Sequence, residues 1–453
     1  MCLRDQSTRS DPRGHIGGGW QHGRMAIDDS LGLLTRGYGF GAHLWRRTRS
    51  GARAVPFRLL GKPALLVRGA EGVALFYDGE RTARHGAMPA LVQRTLFGVG
   101  SVHSLDGAEH RHRKATFVDV AYEDEQVRRL VPLLAEEWQR ERSAWLEGGR
   151  RSAYDAAVGA IGRAVMRWAG VPGTPAAKTR WAARLAQVVD GFGVPYSPEY
   201  LLAVVHRHWS DRHAARLVEA VRGGRLTPAE GTALYEWAWH RDPEGALLPP
   251  RTAGIELQNS MRPAVAVARF VAFAAKELHD RPGWRARIAD ETAARGTLID
   301  GPLAVAFAQE IRRTAPFVPV LPAWATTDVE LDGEHLAAGG RVVLDILGTD
   351  TDDASWPDAG RFDPDRFTGV DDSEAIPVFV PHGGADVATG HRCPGEKVAV
   401  AALSTAVAVL SDPRLTVLDD GLGVDRRRMP TKPASGGRVA RSGGCPFHRA
   451  AGH

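Results

Sequence analysis

Ala388-Thr389-Gly390-His391-Arg392-Cys393-Pro394-Gly395-Glu396 is the stretch on which the reading of this chain turns. It sets one cysteine behind a glycine-rich run (PHGGADVATG, 381–390) and ahead of a long apolar segment (GEKVAVAALSTAVAVL, 395–410). Pro394 suits the first turn of a helix, where its missing N–H is no loss. The positive end of that helix and the cations of His391 and Arg392 are expected to lower the thiol pKa. An ionised sulfur beside a loop built for close backbone approach reads as a metal ligand, with haem iron the leading candidate.

The rest of the chain bounds this reading. With 453 residues, 43% of them hydrophobic, it has enough for one large domain or two to three ordinary ones. The net charge is +5, the pI about 9.3, and the excess is spread along the chain. That balance reads as solvated surface and does not call for nucleic acid. Three cysteines, Cys2, Cys393 and Cys445, provide no disulfide framework for a chain this long, which fits a reducing cytosol. No stretch of about 18 uncharged apolar residues exists, so no membrane anchor is expected. The N-terminus has arginines but no apolar core of a secretory signal.

Residues 1–25 are polar, glycine-rich and unpatterned, and are expected to be disordered or to precede a second start at Met25. Between Ser30 and Val67 short β-like runs are expected, such as Ala64-Leu65-Leu66-Val67. Helical patterns then dominate: VRRLVPLLAEEWQRERSAWLE, YDAAVGAIGRAVMRWAG, AKTRWAARLAQVV and a segment over 300–316. The stretch ATTDVELDGEHLAAGGRVVLDIL predicts a hairpin. No repeat or linker divides the chain, so 26–453 is expected to form a single, mainly α domain with a small β portion.

Glu310 and Arg313 share one face of a helix, and WPDAGRFDPDRF follows some forty residues later. If buried, such an ion pair needs further hydrogen bonds, and Arg366 is positioned to complete a Glu–Arg–Arg network. Alone, Glu-x-x-Arg is a weak signal. In this order, before RFDPDRF and the cysteine loop, it resembles the cytochrome P450 superfamily over roughly residues 30–440. The resemblance implies haem b, Cys393 as its thiolate ligand, and Glu310, Arg313 and Arg366 as the support of the ligand loop.

Two departures narrow the resemblance. Phe379 lies fourteen residues before Cys393, a longer loop than usual, with His391 where an arginine is common. The central helix, GIELQNSMRPAVAVARFVAFAAKEL, lacks the acid–alcohol pair that delivers protons to dioxygen in ordinary monooxygenases of the superfamily. It carries Arg262-Pro263 instead. Pro263 is expected to kink the helix. Arg262, among Met261, Val265, Ala266 and Ala268, calls for a carboxylate that it can grip bidentately. The Arg-Pro pair and the GHRCPGE loop resemble the fatty-acid peroxygenases, which use hydrogen peroxide and need no redox partner. The implied substrate is a long-chain fatty acid held by Arg262, whose carboxylate does the acid–base work that the protein lacks.

The segment Gly86–Gly107 resembles the distal-pocket segment of that branch, with His103 where the branch carries glutamine or histidine, and Phe97 set to pack on substrate or on His103. Histidine there is associated with decarboxylation to terminal alkenes, and also with some hydroxylases. In Glu109-His110-Arg111-His112-Arg113-Lys114, five basic residues in six positions suggest haem-propionate contacts, His110 and Lys114 above all. His391 and Arg392 are further candidates for cofactor contact. The expected products are α- or β-hydroxy acids, with alkene and carbon dioxide as the second outcome. A reductase-dependent monooxygenase, a haem-binding sensor and a non-haem cysteine enzyme are the alternatives.

Overall fold

The computed structural model describes residues 28–443; the N-terminal stretch 1–25, Cys2 and Cys445 lie outside the described residues. The helices that build the site are α1 (Gly107–Ala121), α2 (Asp124–Leu146), α3 (Ala153–Trp168), α4 (Pro175–Gly191), α5 (Pro198–Arg222), α6 (Pro250–Ala266), α7 (Ala268–Asp280), α8 (Pro302–Thr314) and α9 (Glu396–Leu410). Their starts follow the sequence closely. Ser152 accepts the Asp155 N–H to cap α3, and Thr174 accepts the Ala177 N–H to cap α4, with Pro175 in its first turn.

A five-stranded sheet lies at the edge, in the order β1 (Ala54–Leu59), β2 (Lys62–Val67), β7 (Arg341–Asp345), β4 (Val320–Ala325), β3 (Thr82–Ala83). Only β2 and β7 run parallel. The expected hairpin is confined to β5 (Val329–Leu331) and β6 (Glu334–Leu336), while Arg341–Asp345 crosses into the main sheet. A two-stranded pair, β8 (Leu415–Val417) and β9 (Val439–Arg441), follows α9.

Between Ser30 and Trp45 the β expectation fails: the chain forms helices at Ser30–Arg36 and Phe40–Trp45. Phe40 and Leu44, one turn apart, pack on Val55, Phe57 and Leu66 of the sheet. Glycines at 32, 37, 39 and 41 hide that periodicity in the sequence, and packing overrides their poor helix propensity.

The core is a helix stack rich in alanine and tryptophan, with Trp138, Trp145 and Trp237 fully buried. Small residues let helices cross closely. A Cβ on Gly254 of α6 would lie 2.7 Å from the Ala215 backbone nitrogen of α5, so α5 can lie hard against α6 only because this residue is glycine. That crossing brings Arg207 of α5 to the same wall as Arg262 of α6.

The proline effect is displaced from the expected place. α6 runs through Pro263 and is interrupted at Val267, whose N–H turns to the Ala264 carbonyl at 3.1 Å. From Ala253 to Ala275 every residue but Pro263 is buried. The turn before the proline is gripped by packing, and the adjustment falls one turn later.

Candidate active site

On one side stands the cysteine loop. The Cys393 N–H donates to the His382 carbonyl at 3.0 Å, which fixes the ligand backbone against the glycine-rich run. Gly395 caps α9, so Pro394 sits before the helix and not in its first turn as the sequence reading has it. The expectation for the thiol also needs correction. Burial raises its pKa, and the Gly395 N–H and Lys114 oppose that only in part. The desolvation cost of a buried thiolate exceeds the pull of one helix end. A bound metal cation would supply the missing charge, since a coordinating thiol is deprotonated by its metal.

Behind the loop lies a set of buried charges, in which Arg313 is the most completely satisfied. Arg313 has five N–H donors and uses all five. Two grip Glu310 at 2.7 Å each; the others reach the carbonyls of Asp350 (2.9 Å), Ala359 (3.0 Å) and Arg361 (3.1 Å). Glu310 also accepts the Asp363 N–H at 2.8 Å, and Arg366 Nε lies 3.8 Å from it, too far for a hydrogen bond. Arg366 instead donates to the Asp358 carbonyl at 2.9 Å. A second buried pair escapes the sequence reading. Arg312 binds Glu396 and His382 from α8, and Arg392 donates to Glu396 at 2.8 Å and to the Glu374 carbonyl at 2.9 Å. Arg392 thereby clasps the loop, and its Nη2 is buried without a hydrogen-bond partner among the described residues. Burial works against the Glu396 charge, yet Arg312 and Arg392 outweigh it and hold the carboxyl at about 2.

Across from this loop the wall is built by α6 and the segment 93–105. Arg262 is 3% exposed, and among the described residues it forms no ion pair and no hydrogen bond; its Nη1 is buried without a partner. Burial, and then the like charge of Arg207, disfavour its charge, while Asp211 and Glu256 favour it. An arginine does not release its proton in a protein, so an anion reaching this site would be favoured. Pro263 beside it is exposed, opening on unpacked space. The His103 ring lies against Phe97, tilted by 33°, with centroids 4.3 Å apart. It sits deep in the fold, yet exposed to that interior space. Burial, and then the Arg262 charge, push its pKa well below 6.5, so His103 is a neutral imidazole near pH 7.

A model of the cytochrome P450 family matches residues 297–410. Among solved structures, a single-residue variant of cytochrome P450SP alpha (CYP152B1) is 38% identical over 92% of this chain and 98% of its own, with a TM-score of 0.83. The chain belongs to the cytochrome P450 family. The ligand-free structure of cytochrome P450 OleT is 30% identical over 91% of this chain and 96% of its own, TM-score 0.83. These solved P450s form the fatty-acid peroxygenase branch that the Arg-Pro helix resembles. Among curated relatives, cytochrome P450 monooxygenase buaD of Petromyces alliaceus is 33% identical over 104 residues, 23% of this chain and 18% of its own. The chain thus spans about a fifth of the length of such curated P450s.

Haem is the group that a P450 implies, and the residues here fit it. The half-buried Cys393 thiol would supply a soft sulfur donor to the haem iron, and Pro263 of α6 is exposed. Four basic groups, Arg84, His110, Lys114 and His391, crowd beside the loop around only two carboxylates, Asp106 and Asp386. His110 and His391 stack at 3.8 Å, and the Lys114 ammonium donates to the Arg392 carbonyl. Burial and the neighbouring cations take His110 down to about 3. Such a cluster is suited to a dianionic porphyrin edge. Of the basic run, Arg111 and His112 are exposed, and Arg113 turns inward to the Gly100 carbonyl (2.8 Å) and Glu256 (3.5 Å).

Sequence reasoning missed Arg312 and Glu396 behind the thiol, and Arg207, Glu256 and Asn259 on the opposite wall. The one available signal for the latter was an acidic residue, Glu256, on the same helix as Arg262.

Proposed function

We propose that this P450 is a haem-thiolate peroxygenase that uses hydrogen peroxide to oxidise long-chain fatty acids at the α or β carbon. The observation that carries the reading is Arg262, a buried guanidinium with no partner among the described residues. Haem under thiolate ligation supplies peroxide O–O cleavage and oxidation of the bound substrate. The chain's own part is positioning. Arg262 pairs with the substrate carboxylate in a site of low dielectric, where a charge-assisted, bidentate contact is strong. That anchor holds the α and β carbons at a set depth. The held carboxylate, next to the open face of Pro263, is the acid–base group that α6 lacks. His103, neutral, positions that carboxylate by hydrogen bonding and is not a strong acid.

Relatives support the substrate class: OleT is known in a complex with arachidonic acid and P450SP alpha in one with (R)-ibuprophen, both carboxylic acids. His103 beside Arg262 favours terminal alkene plus carbon dioxide as a second outcome. No redox partner is needed in this scheme. Among the described residues no helix is long and apolar enough to cross a membrane, and the sparse cysteines suit the cytosol. The test is the purified holoprotein with hexadecanoic acid and hydrogen peroxide, no reductase present, products read by gas chromatography–mass spectrometry. Hydroxy acids or 1-alkenes are expected; an intact haem with no product contradicts the proposal.

A further inference from the structure

Glu256 is wholly buried on α6, six residues before Arg262. It accepts the Val102 N–H at 2.7 Å and the Asn259 side-chain amide at 2.9 Å, and faces Arg113 at 3.5 Å. Val102 opens the short turn Val102–Ser104 that carries His103. Its neighbours hold the other end of the same segment. Asn259 donates to the Phe97 carbonyl at 3.1 Å, Arg207 to the Leu96 carbonyl at 2.7 Å, and Arg113 to the Gly100 carbonyl. The segment has little regular structure of its own to fix it. Gly98 adopts φ +92°, and a Cβ there would strike the Arg207 guanidinium and Ile255; Val99 and Gly100 are exposed.

One feature separates Glu256 from a simple counter-ion. It lies close enough to Arg262 to favour that charge, yet it forms no ion pair with it. Its oxygens are turned to the peptide before His103 and to Asn259. The carboxylate is withheld from the arginine and committed to the opposing wall of the pocket.

We infer that Glu256 is a positioning residue: it ties the His103 turn to the helix that bears Arg262, fixes the imidazole against the anchored carboxylate, and so sets the ratio of alkene to hydroxy acid. The product part rests on the function proposed above. Four holoenzyme variants test it: E256Q, E256L, H103A and E256L/H103A, each with haem content measured. Hydrogen exchange is read first, because it does not depend on turnover. E256L is expected to speed exchange across 99–105 while α3 stays protected. It should shift the alkene-to-hydroxy ratio about tenfold in the direction of H103A. E256Q, which keeps an oxygen for the Val102 N–H, should retain the wild-type ratio even if it is less stable. The double variant should match H103A alone. Unchanged exchange and ratio in E256L, or a double variant that departs from H103A, overturns the inference. A wild type that forms no product with peroxide strikes the function, and the exchange result then decides by itself whether Glu256 positions the turn.

Discussion

Two buried guanidinium groups face opposite sides of this pocket, and they are treated in opposite ways. Arg313, behind the cysteine loop, has every donor satisfied by a carboxylate and three backbone carbonyls. Arg262, on α6, is also buried and has no partner among the described residues. Removing a charge from water costs several kcal/mol unless the protein replaces the lost hydrogen bonds. The first site does so completely and is architecture. The second leaves the cost standing, which is the ground for proposing that an anionic ligand binds there. Completeness of hydrogen bonding, more than burial or charge, separates structural from functional arginines here.

The contrast can be broken most severely at Glu310. Glu310→Ala leaves Arg313 buried without its carboxylate and is expected to lower stability by about 3–5 kcal/mol, seen as a lower denaturant midpoint and poor haem retention. Arg262→Ala should do the reverse. Stability is unchanged or higher, because an unpaired charge leaves the interior, while peroxide turnover of long-chain acids falls about 10²-fold or more as the reacting carbons lose their anchor. A full loss of folding in Arg262→Ala would put that arginine with the architecture.

The loop side also has a pH signature. Glu396 has a folded pKa of about 2, below its ordinary 4.5. A depressed carboxylate contributes stability that is present above pH 4.5 and is lost as pH falls from there toward 2. Acid unfolding followed by the haem Soret band should begin in that window, and Glu396→Gln should flatten the decline. Smallest of all is His103→Ala. Its ring packs beside Phe97 and is otherwise exposed, so the fold is expected to persist and, on the proposed function, the alkene-to-hydroxy ratio to change, read from the product chromatogram.

What was legible in the sequence follows the same division. The ligand loop, the Glu310–Arg313 pair and the mainly α fold are written in local spacing, because each rests on residues a turn apart or in one loop. Arg262 was legible through its apolar neighbours. The partner of Arg312 was not: two arginines in the last turn of α8 look like a solvated helix end, and Glu396 is 84 residues away. The clamp on the His103 turn was equally hidden, since Glu256 meets Val102 across 154 residues. Gly254, needed for the approach of α5 to α6, reads in sequence as a weak helix former. The early helices were misread because glycines masked the Phe40–Leu44 spacing. The thiol was misread because a helix end is visible in sequence and desolvation is not.

The central claim is that Arg262 waits for a carboxylate. The most direct measurement is a spectral binding titration of the holoprotein with hexadecanoic acid and with its uncharged methyl ester, in wild type and in Arg262→Ala. Wild type should prefer the acid by about 10²-fold, as for a desolvated charge-assisted pair of about 2–3 kcal/mol, and the variant should bind both alike. An Arg262→Ala protein that still prefers the acid by the wild-type margin would contradict the account.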